Sequence, residues 1–259
     1  MAGRSDSRVV WVTGAGSGMG RASAVVAAAG GRRVALSGRR PDALQEAARE
    51  VEAAGGSAFV VPLDVTDVEA VAEAHRRIAG RWGAVSDLVL SAGLNTPRRS
   101  WAEQSIAEFQ RIIATNLTAV TALVDVALPD LRAASGTVVM VSSISAWTFS
   151  PNSGVAYSAS KTAVGALCRS LNAQEAGSGV RATHLCPGDV DTDFLDLRPE
   201  VPDATAREVM LRPEDVARAV GFVLDSPPHV RIDELVISPT GRRRPGQSPP
   251  DTRMVVPVV

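Results

Sequence analysis

The chain has 259 residues, enough for one large α/β domain with a substantial buried core and short for two full ones. Hydrophobic residues make up 45% of it, charged residues 21%, and the formal net charge is −1. This is an ordinary globular composition, with no global field to attract nucleic acid or anionic lipid. Met1 to Arg8 lack the apolar core of a signal peptide, and no apolar run approaches the roughly 18 residues of a membrane span. A cytoplasmic protein is expected, with neither nucleic acid nor membrane as partner. Its two cysteines, Cys168 and Cys186, are expected to be reduced, buried and structural.

Short apolar runs alternate with longer amphipathic stretches along the whole chain. Strands are expected at Arg8–Thr13, Arg33–Ser37, Ser57–Pro62, Asp87–Leu90, Thr137–Val141, Arg181–Cys186 and Glu234–Ile237. Helices are expected between them at Gly18–Ala29, Pro41–Ala54, Asp67–Trp82, Ser105–Leu131, Val155–Glu175 and Pro213–Leu224. Pro41 and Pro213 suit helix first turns, and the pairs Gly30-Gly31 and Gly55-Gly56 suit helix ends. The unalternating runs VVMV and ELVI read as strands covered on both faces. Strict alternation of strand and helix predicts a doubly wound, mostly parallel seven-stranded sheet in a three-layer αβα sandwich, a Rossmann-type α/β fold. One domain is expected over 1–259, with a substrate loop at about 189–211 and a Pro-, Gly- and Arg-rich tail from about 239. The hydrophobic end, Met254–Val259, suits docking on a neighbouring subunit.

The first strand runs straight into Thr13-Gly14-Ala15-Gly16-Ser17-Gly18-Met19-Gly20, and a helix follows. Glycines there let the backbone turn tightly and approach a pyrophosphate, while the helix N-terminus offers free N–H groups and positive dipole. Ser17 and Met19 belong to the same cradle. The competing reading is a flexible loop, which the strand–loop–helix context disfavours. The second strand ends Ser37-Gly38-Arg39-Arg40, with no acid to hold a ribose 2′-hydroxyl. Arg39 can grip a 2′-phosphate instead, which favours NADP(H) and leaves NAD(H) open. The alternative for Arg39 is a solvated side chain at a helix start.

The segment Tyr157-Ser158-Ala159-Ser160-Lys161 puts a phenol and an ammonium four residues apart, on one face of the expected helix. They are the only tyrosine and the only lysine in the chain. A cation near a phenol lowers its pKa, which makes a tunable acid–base. Val141-Ser142-Ser143-Ile144-Ser145 places hydroxyls at the carboxyl end of the fifth strand, where such sheets bind ligands. Asn116 is a poor helix-interior residue, and a local helix distortion is one reading of it. The histidines, His75, His184 and His229, are scattered, and no metal site is expected.

Taken in order, the T-G-x-x-x-G-x-G run, the Asn, the Ser and the Y-x-x-x-K pair resemble the short-chain dehydrogenase/reductase family over about Val9 to Thr240. The resemblance makes Gly14, Gly18 and Gly20 the fingerprint glycines. It lays Asp64 and Val65 along the adenine; a helix-capping role is the alternative for Asp64, although Asp67 is the better cap. It sets Ala92 and Gly93 against the cofactor, with Leu90-Ser91 standing where relatives carry two asparagines. Pro187, Gly188, Val190 and Thr192 fall beside the nicotinamide carboxamide. Ser143 aligns best with the serine that holds the substrate oxygen, and Ser142 is the fallback. Tyr157 is the proton donor. Lys161 lowers its pKa and holds the nicotinamide ribose, and Asn116 orders a water leading to the lysine. Many NADP-preferring relatives carry a base where this chain has Ser17.

The implied activity is NADP(H)-dependent interconversion of a small-molecule carbonyl and a secondary alcohol. The Arg231–Thr240 ending resembles the subgroup acting on small hydroxy acids and polar alcohols. Competing readings are an NAD-dependent alcohol, sugar or steroid dehydrogenase, an epimerase or dehydratase, and a non-catalytic cofactor sensor. The family also implies a homo-oligomer, tetramer or dimer. The pocket is expected from Leu94–Arg99, Ile144–Asn152 and Asp189–Leu211. Trp147, Phe149 and Phe194 are candidate linings. Arg98 and Arg99 could meet a substrate carboxylate or simply be solvated.

Overall fold

A computed structural model of the protein describes residues 8–240. Seven strands form one sheet in the order β3-β2-β1-β4-β5-β6-β7, every neighbouring pair parallel. They are β1 Val9–Thr13, β2 Arg33–Ser37, β3 Ser57–Val60, β4 Asp87–Leu90, β5 Thr137–Val141, β6 Arg181–Pro187 and β7 Glu234–Ile237. The chain winds outward from β1 to β3, then starts again on the other side of β1 with β4. That reversal opens a crevice at the carboxyl ends of β1 and β4.

Alternation along β1 builds the two cores. Val9 and Trp11 face a layer that includes α3 (Val68–Trp82), α5 (Ala119–Ala134) and α7 (Val155–Gln174). Val10 and Val12 face α1 (Gly18–Ala29), α2 (Pro41–Ala53) and α9 (Pro213–Leu224). At the amino ends of the strands Asp87 is fully buried and pairs with Arg8 at 2.6 Å and Arg32 at 3.6 Å. Its Oδ1 also accepts from the Thr137 amide at 3.1 Å, tying β4 to β5 at the end away from the crevice.

Boundaries follow the capping chemistry. Asp67 caps α3 by accepting from the Ala70 amide, as expected of it. After α1 and α2, Gly31 and Gly55 adopt positive φ. The expected helix Ser105–Leu131 is corrected in two ways. It consists of α4 (Ile106–Ile113), a π turn over Ala114–Thr118 and α5, so it runs on to Ala134 and is distorted at Asn116. As one continuous segment, Ile106–Ala134 is also long and apolar enough to cross a membrane by length and composition, contrary to expectation. In the fold its Leu123, Ala127 and Leu131 are buried against the sheet. Two short helices, α6 (Ile144–Trp147) and α8 (Ala204–Arg207), were not expected. The tail beyond Thr240, including Met254–Val259, lies outside the described residues.

Candidate active site

The cradle is built where β1 meets β4. Gly14 (φ +65°) and Gly18 (φ +51°) take backbone conformations that side chains rarely adopt. A Cβ on Gly14 would lie 2.8 Å from the Ala92 nitrogen, and one on Gly20 would lie 2.3 Å from the Gly14 oxygen. Backbone therefore closes directly on backbone beneath the loop. Ser17 makes no side-chain cap on α1, and the first turn of that helix carries no acid. The N–H groups at this helix start remain open to an anion, and the cradle fits a dinucleotide pyrophosphate. A Cβ on Gly18 would lie 3.1 Å from Thr192 Cγ2, so the loop after β6 closes over the same point.

At the tip of β2, Arg39 is exposed and makes no ion pair among the described residues. Its charge helps hold the Asp64 carboxyl below the usual range, although the largest cause there is the hydrogen bond from the Thr66 amide. Asp64 does not cap α3. Its Oδ1 accepts from Thr66 N at 2.9 Å and Thr66 Oγ1 at 2.8 Å. Val65 beside it is buried in the core.

Asn116 is the buried residue of the π turn. Its Oδ1 accepts from Leu94 N at 2.7 Å and its Nδ2 donates to Leu94 O at 2.9 Å. The amide thereby clamps the backbone just past Ala92-Gly93. Its Nδ2 also donates to Ser160 Oγ at 3.1 Å, and Ser160 Oγ donates to Tyr157 O at 2.8 Å. A Cβ on Gly93 would sit 3.7 Å from Lys161 Nζ and 3.8 Å from Asn116 Oδ1, so this glycine separates the two side chains. Ser160 was not anticipated; its position one turn after Tyr157 was the only signal.

The two candidate serines part company at the end of β5. Ser142 stays with the sheet: its amide donates to Leu185 O, and its buried hydroxyl donates to Lys161 O at 3.1 Å. Ser143 turns away as the N-cap of α6, accepts from Ser145 N at 3.2 Å, and faces the Tyr157 phenol closely enough to oppose the rise in its pKa. Geometry thus brings Ser143, not Ser142, to the tyrosine.

Helical spacing does bring Tyr157 and Lys161 together, with Nζ 5.8 Å from the ring centroid. Their electrostatics depart from the expectation that the lysine lowers the phenol's pKa. Burial pushes the Tyr157 phenol up; Ser143, Arg99 and Arg198 are the groups that oppose this. Lys161 is itself 5% exposed, donates from Nζ to Val141 O at 2.9 Å, and is pushed down to about 8 by burial. Its Nζ lies over the face of the ring and is bonded to Val141 O, and it is not among the groups that set the phenol's pKa.

Tyr157 and Ser143 face a cavity of about 610 Å³, also lined by Met19, Gly188, Val190 and Thr192. Its far wall is the first half of the expected 189–211 segment, from Asp189 to Glu200, while 201–211 do not line it; a parallel bridge between Val190 and Leu211 ties the segment's ends together. Phe194 from this segment contacts the Tyr157 ring at 6.0 Å between centroids. Trp147 and Phe149 do not line the cavity and are 58% and 76% exposed. Arg99 lines it, whereas Arg98 turns aside to a three-contact pairing with Glu108. Arg198 also lines it and was missed, since nothing in its local sequence marks it.

The family model described as short chain dehydrogenase matches residues 8–201. The chain is a short-chain dehydrogenase. It is 37% identical over 222 residues to cis-4-hydroxycyclohexanecarboxylate dehydrogenase of Sinomonas cyclohexanicum, covering 83% of this chain and 88% of that one. An uncharacterized oxidoreductase of Staphylococcus aureus is 33% identical over 233 residues, or 90% and 97% of the two chains. Among solved structures, an alcohol dehydrogenase from the archaeon Thermococcus sibiricus complexed with 5-hydroxy-NADP superposes with a TM-score of 0.82 at 32% identity, covering 92% of this chain and 98% of that one.

This short-chain dehydrogenase is accordingly an oxidoreductase that uses a nicotinamide cofactor and small-molecule substrates. Its relatives are dehydrogenases, which leaves the non-catalytic sensor without support. His184, Cys186 and Glu234, scattered in sequence, meet on β6 and β7, with His184 Nδ1 2.9 Å from Glu234 Oε1. Burial pushes the Cys186 thiol up to about 12.

Proposed function

We propose that this short-chain dehydrogenase interconverts a carbonyl and a secondary alcohol with NADP(H), using Tyr157 as proton donor and acceptor. When bound, the nicotinamide supplies or accepts the hydride. The observation that carries the reading is the convergence of Ser143 and Tyr157 on one cavity wall, with Lys161 packed against the tyrosine ring. In reduction the Tyr157 phenol gives its proton to the carbonyl oxygen, and the Ser143 hydroxyl donates a hydrogen bond that positions that oxygen. A phenol held protonated by burial suits this direction, and in oxidation the same oxygen takes the proton back. Lys161, poised at about 8, exchanges protons readily near neutrality. Asn116 Oδ1 keeps a second lone pair for a water between it and the lysine.

In this reading Gly14, Ser17, Gly18, Met19 and Gly20 receive the pyrophosphate, and Asp64 and Val65 flank the adenine. Ala92, Gly93, Pro187, Gly188, Val190 and Thr192 border the nicotinamide half. Arg39 binds the 2′-phosphate, a reading supported by its exposure and by its having no ion pair among the described residues. Arg39→Ala should weaken NADPH binding roughly tenfold or more and leave NADH little changed, since a charge-assisted contact is lost. Tryptophan fluorescence titration of both cofactors tests this. Tighter NADH binding by the wild type would overturn the Arg39 assignment while leaving Tyr157 and Lys161 in place. A homo-oligomer, dimer or tetramer, is also proposed, supported by the exposed Trp101, Ile106 and Phe222. Light scattering on the purified protein checks it.

A further inference from the structure

We propose that Arg99 is the receptor for a substrate carboxylate, so that the substrates of this enzyme are oxo- and hydroxycarboxylates bound with the acid group on Arg99 and the reacting oxygen on Tyr157 and Ser143. The proposal rests on the carbonyl–alcohol reading above and names the substrate class for it.

Arg99 is partly buried in the loop between β4 and α4. Its Nε donates to Thr96 O at 2.9 Å, one Nη to Asn152 O at 2.9 Å and the other to Leu197 O at 2.8 Å. These three carbonyls come from three segments around the cavity. They fix the plane of the guanidinium but bring no negative charge. A guanidinium has five N–H donors, so one N–H on each Nη stays available at a cavity wall.

The neighbouring arginines are treated differently. Arg98 pairs with Glu108, Arg198 with Asp189, and Arg207 with Asp191 and Asp196. Among the described residues Arg99 has no such carboxylate. Glu103, four residues on, is drawn instead to Ser100, accepting from its hydroxyl at 2.6 Å and its amide at 3.3 Å. Glu200, the remaining acid of the cavity lining, is exposed. A positioned cation that lacks a counterion, set in a partly desolvated wall, is complementary to an anion that arrives with the ligand.

The electrostatics agree with the geometry. Burial and then the Arg198 charge hold the Arg99 pKa below the arginine range, and the opposite charge of a bound carboxylate would offset them. The charges felt by the Tyr157 phenol are Arg99 and Arg198, opposed by Asp189. Arg99 is therefore within electrostatic reach of the reacting group, and one small molecule in the 610 Å³ cavity can engage both. Because Leu197 belongs to the 189–211 segment, an acid on Arg99 would also reinforce the closure of that wall.

The test compares acetoacetate and levulinate with their methyl esters, using NADPH, in the wild type, Arg99→Gln and Arg99→Lys. The wild type is expected to prefer an acid over its ester by roughly tenfold or more in kcat/KM, expressed mainly in KM. Arg99→Gln should bring that ratio towards unity, and Arg99→Lys should retain part of it. A loss of loop anchoring alone would lower acid and ester together and leave the ratio standing, which would overturn the proposal, as would equal use of acid and ester by the wild type. Calorimetric binding of levulinate separates this site from the chemistry. If nothing is reduced but levulinate binds the wild type and not Arg99→Gln, the carboxylate site stands and the carbonyl–alcohol reading fails. If levulinate does not bind, or binds both proteins alike, the proposal is overturned.

Discussion

Replacing Lys161 by methionine should make the enzyme inactive and, near neutral pH, more stable. The lysine lies 5% exposed with a single hydrogen bond from Nζ, and burial lowers its pKa from 10.5 to about 8. At 1.36 kcal/mol per unit, that depression corresponds to about 3 kcal/mol of penalty for holding the charged form in the fold. Methionine removes the penalty and keeps an unbranched stem of similar shape. It also leaves Val141 O without its donor, at about 1–2 kcal/mol. The net expectation below pH 8 is a gain of about 1–2 kcal/mol, or roughly 2–8 °C in Tm.

The pH dependence carries the sharper signature. Between the folded value of about 8 and the unfolded 10.5 the unfolded chain binds more protons at this site, so wild-type stability rises with pH. The penalty is complete below about 8 and has vanished by 10.5. The advantage of Lys161→Met should therefore shrink above 8 and reverse towards 10.5, where only the lost hydrogen bond remains. Reversible urea unfolding of both proteins across this range measures the difference directly, with the other titrating groups largely cancelling. A variant that is less stable at neutral pH, by an amount independent of pH, would refute the desolvation argument.

Three further substitutions test the ends of the strands. Asp87→Ala takes from Arg8 its carboxylate partner and leaves Arg32 with Asp225 alone, and should cost about 3 kcal/mol in urea unfolding, while cofactor affinity at the opposite end of the sheet holds; a loss below about 1 kcal/mol would contradict the buried pairing. Ser143→Ala should lower kcat/KM roughly a hundredfold by removing a donor to the reacting oxygen. Ser142→Ala should cost mainly stability, about 1 kcal/mol for its bond to Lys161 O. Equal kinetic losses in the two variants would show that the wrong hydroxyl has been assigned.

Much of this was legible in the residues because it depends on local chemistry. Unalternating apolar runs marked strands covered on both faces, and Pro41, Pro213 and the Gly30-Gly31 and Gly55-Gly56 pairs marked helix limits within about a residue. The cradle was legible because only glycine can bring backbone as close as Gly20 comes to Gly14. What escaped depends on tertiary contact. A distortion at Asn116 was one reading of that residue, but its form, a π turn with an amide that reaches across to Leu94, comes only from the fold. Arg98 and Arg99 are chemically identical neighbours; only the fold reveals that Glu108 takes one and leaves the other at the cavity. Trp147 and Phe149 had the right chemistry for a pocket, but the short helix α6 and the turn after it leave them exposed. Spacing put Tyr157 and Lys161 on one face, yet the depth of burial that sets both pKa values belongs to the packed structure.

The most direct test of the central claim is carbonyl-dependent oxidation of NADPH, followed by its absorbance across a panel of ketones and oxo acids, in the wild type and Tyr157→Phe. The account predicts turnover by the wild type. It also predicts a loss of roughly a hundredfold or more in Tyr157→Phe, with NADPH affinity kept, because only the proton donor has been removed. Full activity in Tyr157→Phe, or a wild type that binds NADPH and oxidises it with no member of the panel, would contradict the account.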